Sequence, residues 1–163
     1  MKSGILAFAF GAPKTILANQ LIAQIATQKA YELKAPIYTQ LDIQIKDKNV
    51  KVDFIKEQVS KRPSTLKISE KAIQWAENKN ITDLWIVAAS PHLWRCARDV
   101  SYIVDKKNLK INIHLCKKIN IYPESSWFCI NSIQKRTQSK KNWKRRERII
   151  RLIPFYIYKF ITA

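Results

Sequence analysis

Two short apolar runs, each followed by a helical pattern, constrain the fold of this chain more than any other feature. Residues 4–10 (GILAFAF) and 84–89 (LWIVAA) are almost continuously apolar, which is typical of buried parallel strands. Apolar residues at helical spacing follow within 16–33 and again from residue 93. Strands that alternate with helices of this kind form βαβ units. The sequence therefore predicts a single three-layer α/β domain with a mainly parallel sheet of four or five strands.

Weaker patterns predict the other elements. Thr15 is the expected N-cap of the first helix, and Ser64 or Thr65 the N-cap of a later helix that ends near residue 78. The remaining predictions are strands at 37–41 and 110–115, weak helical character at 53–60, and a helix at 127–136.

The net charge of +18 is concentrated at the C-terminal end. Residues 135–163 hold ten Lys or Arg residues against one Glu, so this segment carries half of the net positive charge of the chain. We therefore expect an α/β domain at 1–136 and a basic, aromatic segment at 137–163. The favoured interpretation is that this segment docks on the domain as a final helix and strand. The basic and aromatic composition also fits an anionic membrane surface, and the charge alone fits nucleic acid.

The cysteines favour a reducing compartment. Cys96, Cys116 and Cys129 are odd in number and widely spaced, which indicates neither a disulfide framework nor a zinc site. No apolar run is long enough to span a bilayer as a helix, and the N-terminal run is interpreted as a strand rather than a signal peptide. The expectation is a cytoplasmic protein with peripheral membrane contact as an open alternative. The sequence indicates no metal and does not name a cofactor.

A candidate anion site follows the strand at 84–89. Ser90 and Pro91 interrupt the run, His92 lies in the predicted loop, and Arg95 lies in the first helical turn. A helix N-terminus carries free N–H groups and partial positive charge, and a guanidinium and an imidazole add donors. Arg98 extends the same basic face. We expect a phosphate or carboxylate ligand at this point.

Two more strand ends supply candidates for the same edge of the sheet. The loop at 11–15 contains Gly11, Lys14 and Thr15, which offer backbone N–H groups and one positive charge. Asp42 follows the second predicted strand and is the carboxylate best placed to act as a base. In an enzyme, His92 would be the principal acid or base and Arg95 would stabilise phosphate charge during phosphoryl or group transfer.

Residues 64–98 resemble the DUF218 superfamily, which contains the YdcF-, SanA- and ElyC-like bacterial proteins. The similar features are the Ser64-Thr65 pair that opens a helix, the strand at 84–87, and the H-x-x-R signature formed by His92 and Arg95. The resemblance implies a Rossmann-like fold, a bacterial origin, and a link to the cell envelope and to lipid-linked or nucleotide-like phosphates. It also implies that Ser64 and Thr65 contact the ligand.

The chain departs from this family at three places. It has Gly11-Ala12-Pro13 where a Gly-Gly turn is usual, residues 39–42 (TQLD) where Ser-Gly-Gly is common, and Lys67 and Ile68 where a Glu and an Asn are typical. The leading hypothesis is a divergent family member that binds a phosphate-bearing small molecule or lipid-linked phosphate at the strand ends. The alternative is a non-enzymatic basic protein that binds nucleic acid or an anionic membrane.

Overall fold

Five parallel strands form one sheet in the computed structural model, which describes residues 1–56 and 63–162. The strands are β1 (Ser3–Ala7), β2 (Ile37–Thr39), β3 (Val52–Phe54), β4 (Asp83–Val87) and β5 (Asn112–Leu115). The helices are α1 (Leu17–Leu33), α2 (Thr65–Asn78), α3 (Ser90–Lys106), α4 (Lys140–Leu152) and α5 (Phe155–Thr162). Short 3-10 turns lie at Lys117–Ile121, Glu124–Trp127 and Lys135–Thr137.

The strand order is β3-β2-β1-β4-β5, with every neighbouring pair parallel. Ile5 of β1 pairs with Ile37 of β2 on one side and with Trp85 of β4 on the other. The chain moves outward from β1 in both directions, so the order reverses there and a crevice opens at the carboxyl ends. The predicted three-layer, Rossmann-like α/β fold is confirmed.

Two apolar layers cover the faces of the sheet. Leu6 and Ile86 face a cluster built from α2 and α3, whereas Ile5 and Val87 face a cluster built from α1 and the 3-10 turns. The alternation of β1 side chains between the two clusters explains why its sequence is apolar from Gly4 onward. Of the cysteines, Cys96 and Cys116 are buried and Cys129 is half-buried, and all three are free thiols.

Helix α4 contributes to both apolar clusters. Its Trp143 packs into the α1 cluster with 3% exposure, and its Ile150 packs into the α2–α3 cluster with 7% exposure. Tyr158 of α5 joins the α2–α3 cluster and donates a hydrogen bond of 2.6 Å to Asp99. The α4 helix therefore runs across the carboxyl end of the sheet, held by packing on both sides.

The structure corrects several predicted elements. Strand β3 (Val52–Phe54) overlaps the start of the weak helix predicted at 53–60, and residues 57–60 of that prediction fall outside the described residues. Residues 127–136 form turns rather than a helix, and the predicted final strand is the helix α5. Thr15 does not cap α1, whose N-cap position is Ile16 without a side-chain bond.

Helix α3 begins earlier than predicted, and this changes the position of His92. The helix starts at Ser90 with Pro91 in its first turn, because proline is favoured there: it has no N–H to satisfy and its φ is already helical. His92 is thus in the first turn of α3 rather than in a loop. In the described part of the chain, no helix is long and apolar enough to cross a membrane.

Candidate functional site

A cavity of about 690 Å³ lies at the carboxyl ends of β1 and β2, beside the first turns of α2 and α3. Helices α4 and α5 and the 3-10 turn at Lys135–Thr137 complete its wall. Its charged and titratable lining residues are Asp42, Lys67, Glu70, Lys71, His92, Arg95, Arg136 and Arg146. This is the position at which open α/β sheets bind ligands.

The loop after β1 forms the floor of the cavity and is fixed by Asn19. The Asn19 side chain accepts a hydrogen bond of 2.9 Å from the Phe10 amide and donates to the carbonyls of Gly11 and Pro13. Gly11 has φ +90°, a conformation that favours glycine. The backbone of this loop is therefore held in one conformation from inside the domain.

The segment around Ser132 is fastened to that loop across a long stretch of sequence. The Ser132 hydroxyl accepts from the Ala12 amide at 3.3 Å, and the Ile133 amide donates to the Ala12 carbonyl at 2.9 Å. Ser132 and Thr137 also share a hydroxyl hydrogen bond of 2.8 Å. These bonds place the neighbouring Arg136 in the cavity wall.

His92 is enclosed by aromatic rings and cationic groups. The rings of Phe8, Phe10 and Trp143 surround its imidazole at centroid distances of 6.3, 6.1 and 5.3 Å. Burial, followed by the nearby positive charge of Arg95 and other arginines, holds the pKa of His92 well below its usual value. His92 is therefore a neutral imidazole at pH 7.

The tautomer of His92 follows from its neighbour. Arg95 Nη2 lies 3.2 Å from His92 Nδ1, and a guanidinium only donates hydrogen bonds. Nδ1 must accept that bond, so the ring proton of the neutral imidazole resides on Nε2.

Arg95 is 4% exposed and links α3 to α4. Its Nη1 lies 2.6 Å from Glu147 Oε1, at ion-pair distance although not in good hydrogen-bond geometry, and its guanidinium lies 5.1 Å from the Trp143 ring centroid. Within the described residues, the buried Nε of Arg95 has no hydrogen-bond partner. A buried donor without a partner is costly, and an anion in the cavity is a natural acceptor.

Arg146 gives the wall a second such donor. Its Nη1 is buried without a hydrogen-bond partner among the described residues, 3.5 Å from Glu147 Oε1. Burial and the positive charges of Arg95 and Arg136 lower the pKa of Arg146 to about 10. The guanidinium is still charged at pH 7, and an added negative charge would relieve the repulsion among the three arginines.

The N-terminus of α2 forms the opposite wall. Ser64 caps the helix by accepting a hydrogen bond of 3.2 Å from the Lys67 amide. Lys67 and Lys71 are four residues apart, so they lie on the same face of α2, and both line the cavity. The partial positive charge of the helix terminus adds to these two charges.

The described lining has an excess of positive charge. Five Lys or Arg side chains line the cavity against the carboxylates of Asp42 and Glu70. Glu147, behind this lining, offsets part of the charge of Arg95. The arrangement suits a ligand with more than one negative charge and oxygen acceptors.

The structure brings together six of the residues that the sequence selected. Gly11, Asp42, Ser64, Thr65, His92 and Arg95 all line the cavity. Ser90, Lys14, Thr15 and Arg98 do not. Lys14 and Thr15 are exposed, and Arg98 pairs with Asp99 at 2.7 Å and stacks on Tyr158.

Sequence reasoning missed the part of the site that comes from the C-terminal segment. Arg136, Trp143 and Arg146 line the cavity, and Glu147 contacts Arg95 from behind. Trp143 and Glu147 are four residues apart on α4, a spacing that marks one helix face in the sequence. No local pattern marked Arg136, because only the tertiary bonds of Ser132 and Thr137 bring it to the cavity.

Comparison with models of known protein families and with curated proteins finds no match to this chain.

Proposed function

We propose that this protein binds a phosphate-bearing small molecule in the cavity at the carboxyl ends of β1 and β2. The observation that carries the proposal is a pair of buried guanidinium donors, Arg95 Nε and Arg146 Nη1, that have no hydrogen-bond partner among the described residues and lie in a cavity whose described lining has excess positive charge. A phosphate offers several oxygen acceptors and up to two negative charges, which matches this donor set. The resemblance of residues 64–98 to DUF218 proteins supports the same assignment.

The cavity has separate regions for the two ends of such a ligand. The phosphate lies near Arg95, Arg136 and Arg146, where three guanidinium groups converge on the strand ends. The rest of the ligand extends toward Asp42 and the first turn of α2, where polar side chains accept and donate hydrogen bonds. About 690 Å³ is ample for a nucleotide-sized molecule.

His92 contributes a neutral donor in this proposal. With its proton on Nε2, the neutral ring donates a hydrogen bond to a phosphate oxygen or, in a group transfer, to the leaving oxygen, and keeps its proton. Its lowered pKa makes the protonated form rare at pH 7, so it acts as a donor from the neutral ring. Asp42, which lines the same cavity, would be the base of such a transfer.

A thermal-shift screen tests the proposal. The ligands are nucleotides, sugar nucleotides, S-adenosylmethionine and water-soluble short polyprenyl phosphates. A ligand at about a hundred times its Kd stabilises the folded protein by about 2.7 kcal/mol, which is a readily measured shift. The polyprenyl and nucleotide arms separate a lipid-linked phosphate from a free one.

Two substitutions distinguish cavity binding from general charge attraction. Arg146→Gln removes a cavity charge at a half-exposed position, so we expect a weaker shift in a folded protein. Lys14→Gln removes one positive charge outside the cavity and leaves the shift unchanged. If no phosphate shifts the melting temperature, or if both variants respond as the parent protein does, the proposal is wrong.

A further inference from the structure

The end of the chain presents a large exposed apolar face. Leu152, Tyr156, Phe160 and Ile161 have exposed fractions of 83, 63, 82 and 67%. They fall within ten positions of one another at the end of α4 and along α5, and Ile149, at 55%, extends the face toward the start of α4. We call these five residues the terminal apolar face. Single exposed apolar residues are common, but a cluster of this kind marks an interaction surface.

Helix α5 is held so that Tyr156 and Phe160 of this face point away from the protein, while Ile161 at its edge also lines the cavity. Tyr158 on the opposite side is 4% exposed and donates its hydrogen bond to Asp99. Lys159 donates to the Tyr102 hydroxyl at 3.0 Å, and Phe155 packs edge-on against the Tyr102 ring. The side chains on the inner side of α5 thus have packing and hydrogen-bond partners in the domain, whereas the apolar side chains on its outer side are exposed to solvent.

Positive charge flanks the terminal apolar face. Seven Lys or Arg residues occur in the thirteen-residue α4 helix, and Arg145, Arg148 and Arg151 among them are exposed. The sole acidic residue of the segment 135–163, Glu147, is buried against Arg95. Trp94, 47% exposed, lies under Arg151 at 4.7 Å from ring centroid to guanidinium carbon. Aromatic side chains next to basic ones are what the boundary between lipid headgroups and acyl chains accommodates.

Other occupants fit this surface less well. A second copy of the chain would place the same basic helix against itself across a two-fold axis, which opposes like charges. A stable dimer also needs about 800 Å² from each partner, or about 20 to 30 residues, and α5 has eight. Nucleic acid satisfies the charges but gives no burial to the isoleucine and leucine side chains.

We propose that the terminal apolar face and the basic side chains of α4 dock on the surface of an anionic lipid bilayer. The aromatic and aliphatic side chains enter the headgroup boundary, and Arg145, Arg148 and Arg151 contact anionic headgroups. The docking is peripheral, because α5 is far shorter than a spanning helix. It is independent of the ligand in the cavity.

Sedimentation with vesicles tests this docking on the full chain. We expect the protein to sediment with phosphatidylcholine vesicles that contain phosphatidylglycerol and to stay in solution with pure phosphatidylcholine. Leu152→Ser, Tyr156→Ser and Phe160→Ser together reduce the partition coefficient at least tenfold. Arg145→Gln, Arg148→Gln and Arg151→Gln together reduce it about a hundredfold, since each charge contributes about a fivefold factor.

Matched variants control for the loss of exposed apolar and basic residues in general. Ile121→Ser, Ile130→Ser and Ile133→Ser together remove side chains that are 71, 81 and 73% exposed but lie on the 3-10 turns and their connections. Lys46→Gln, Lys48→Gln and Lys51→Gln together remove three exposed charges from the other end of the sheet. We expect both controls to partition as the parent protein does. Far-ultraviolet circular dichroism confirms that each variant is folded.

Four results would overturn the proposal. Equal partition into vesicles of pure phosphatidylcholine would show that the basic groups do not drive binding. Equal losses of partition in the variants and in their controls would show that binding does not depend on this surface. If the arginine variant lost vesicle binding and the serine variant did not, the surface would be purely electrostatic, as expected of a surface that binds nucleic acid. A dimer in light scattering that the serine variant dissociates would make a second copy the occupant.

Discussion

At the scale of single residues, the Arg95–Glu147 pair determines the character of the cavity. Both side chains are at least nine-tenths buried, and removal of one partner from a buried pair typically costs about 3–5 kcal/mol because the other charge is left uncompensated. Glu147 therefore makes it possible to bury Arg95. Nε of Arg95 has no hydrogen-bond partner in the described part of the chain, so the ion pair alone does not satisfy the guanidinium.

His92 gives the stability of the protein a specific pH dependence. Burial holds its pKa well below 6.5 in the folded state, so below pH 6.5 the unfolded chain binds a proton that the folded chain does not. Stability rises with pH wherever the unfolded state binds more protons, so this contribution is complete above pH 6.5 and is lost as the pH falls. The slope approaches about 1.4 kcal/mol per pH unit.

The variant His92→Asn isolates this effect. Its side-chain oxygen is able to accept the Arg95 hydrogen bond, but it does not titrate. Urea unfolding between pH 7 and pH 5 should show a steeper loss of stability in the parent protein than in the variant. Carboxylates such as Asp99 contribute equally to both proteins and cancel in the difference. Parallel curves would contradict the buried, neutral state of His92.

At the scale of elements, the strong patterns predicted β1, α2 and β4, and with them the strand-end half of the site. Ser64 caps α2 as expected, because a Ser before a helical pattern satisfies a free N–H group. The three-residue strand β3 was missed, since its sequence VDF is partly exposed and carries no alternation long enough to identify. Short edge strands are set by their neighbour, here β2, rather than by local sequence.

The C-terminal half of the site could not be predicted for a different reason. Residues 155–162 (FYIYKFIT) have the aromatic and β-branched composition of a strand, yet burial of Tyr158 against Asp99 stabilises a helix there. Arg146 reaches the cavity because Trp143 anchors α4 through a hydrogen bond of 3.1 Å to the Pro91 carbonyl. Both effects depend on contacts across more than fifty positions of sequence, which local patterns do not record.

The loop between β1 and α1 requires a glycine at position 11. A Cβ at this position would lie 2.6 Å from Thr137 Oγ1 and 2.7 Å from Ser132 Oγ, in a backbone conformation that side chains rarely adopt. We expect Gly11→Ala to lower the free energy of unfolding by about 1–3 kcal/mol or more, measured by urea denaturation. The cost should be smaller in a Thr137→Ala background, which removes one clashing atom. Additive costs would show that the contact with Thr137 is not the cause.

At the scale of the whole molecule, α4 and α5 connect the two proposed surfaces. Arg146 and Trp143 face the cavity, while Arg145, Arg148 and the terminal apolar face lie at the exterior of the same helices. Ile161 contributes to both, because it lines the cavity and is 67% exposed. The rim of the cavity therefore lies beside the surface proposed to contact lipid, which places an anionic ligand within reach of either the solvent or the bilayer.

The net charge of +18 predicts how salt affects the stability of the molecule. Self-repulsion destabilises the compact state, and salt screens it, with a Debye length of about 10 Å at 0.1 M. Sodium chloride should therefore raise Tm as its concentration increases. Inorganic phosphate at the same ionic strength should raise Tm further, because it also binds the folded state at Arg95 and Arg146. The excess of phosphate over chloride should shrink in Arg146→Gln and persist in Lys14→Gln, as differential scanning fluorimetry would show. If the two salts act equally in the parent protein, screening accounts for the whole effect and phosphate does not occupy the cavity.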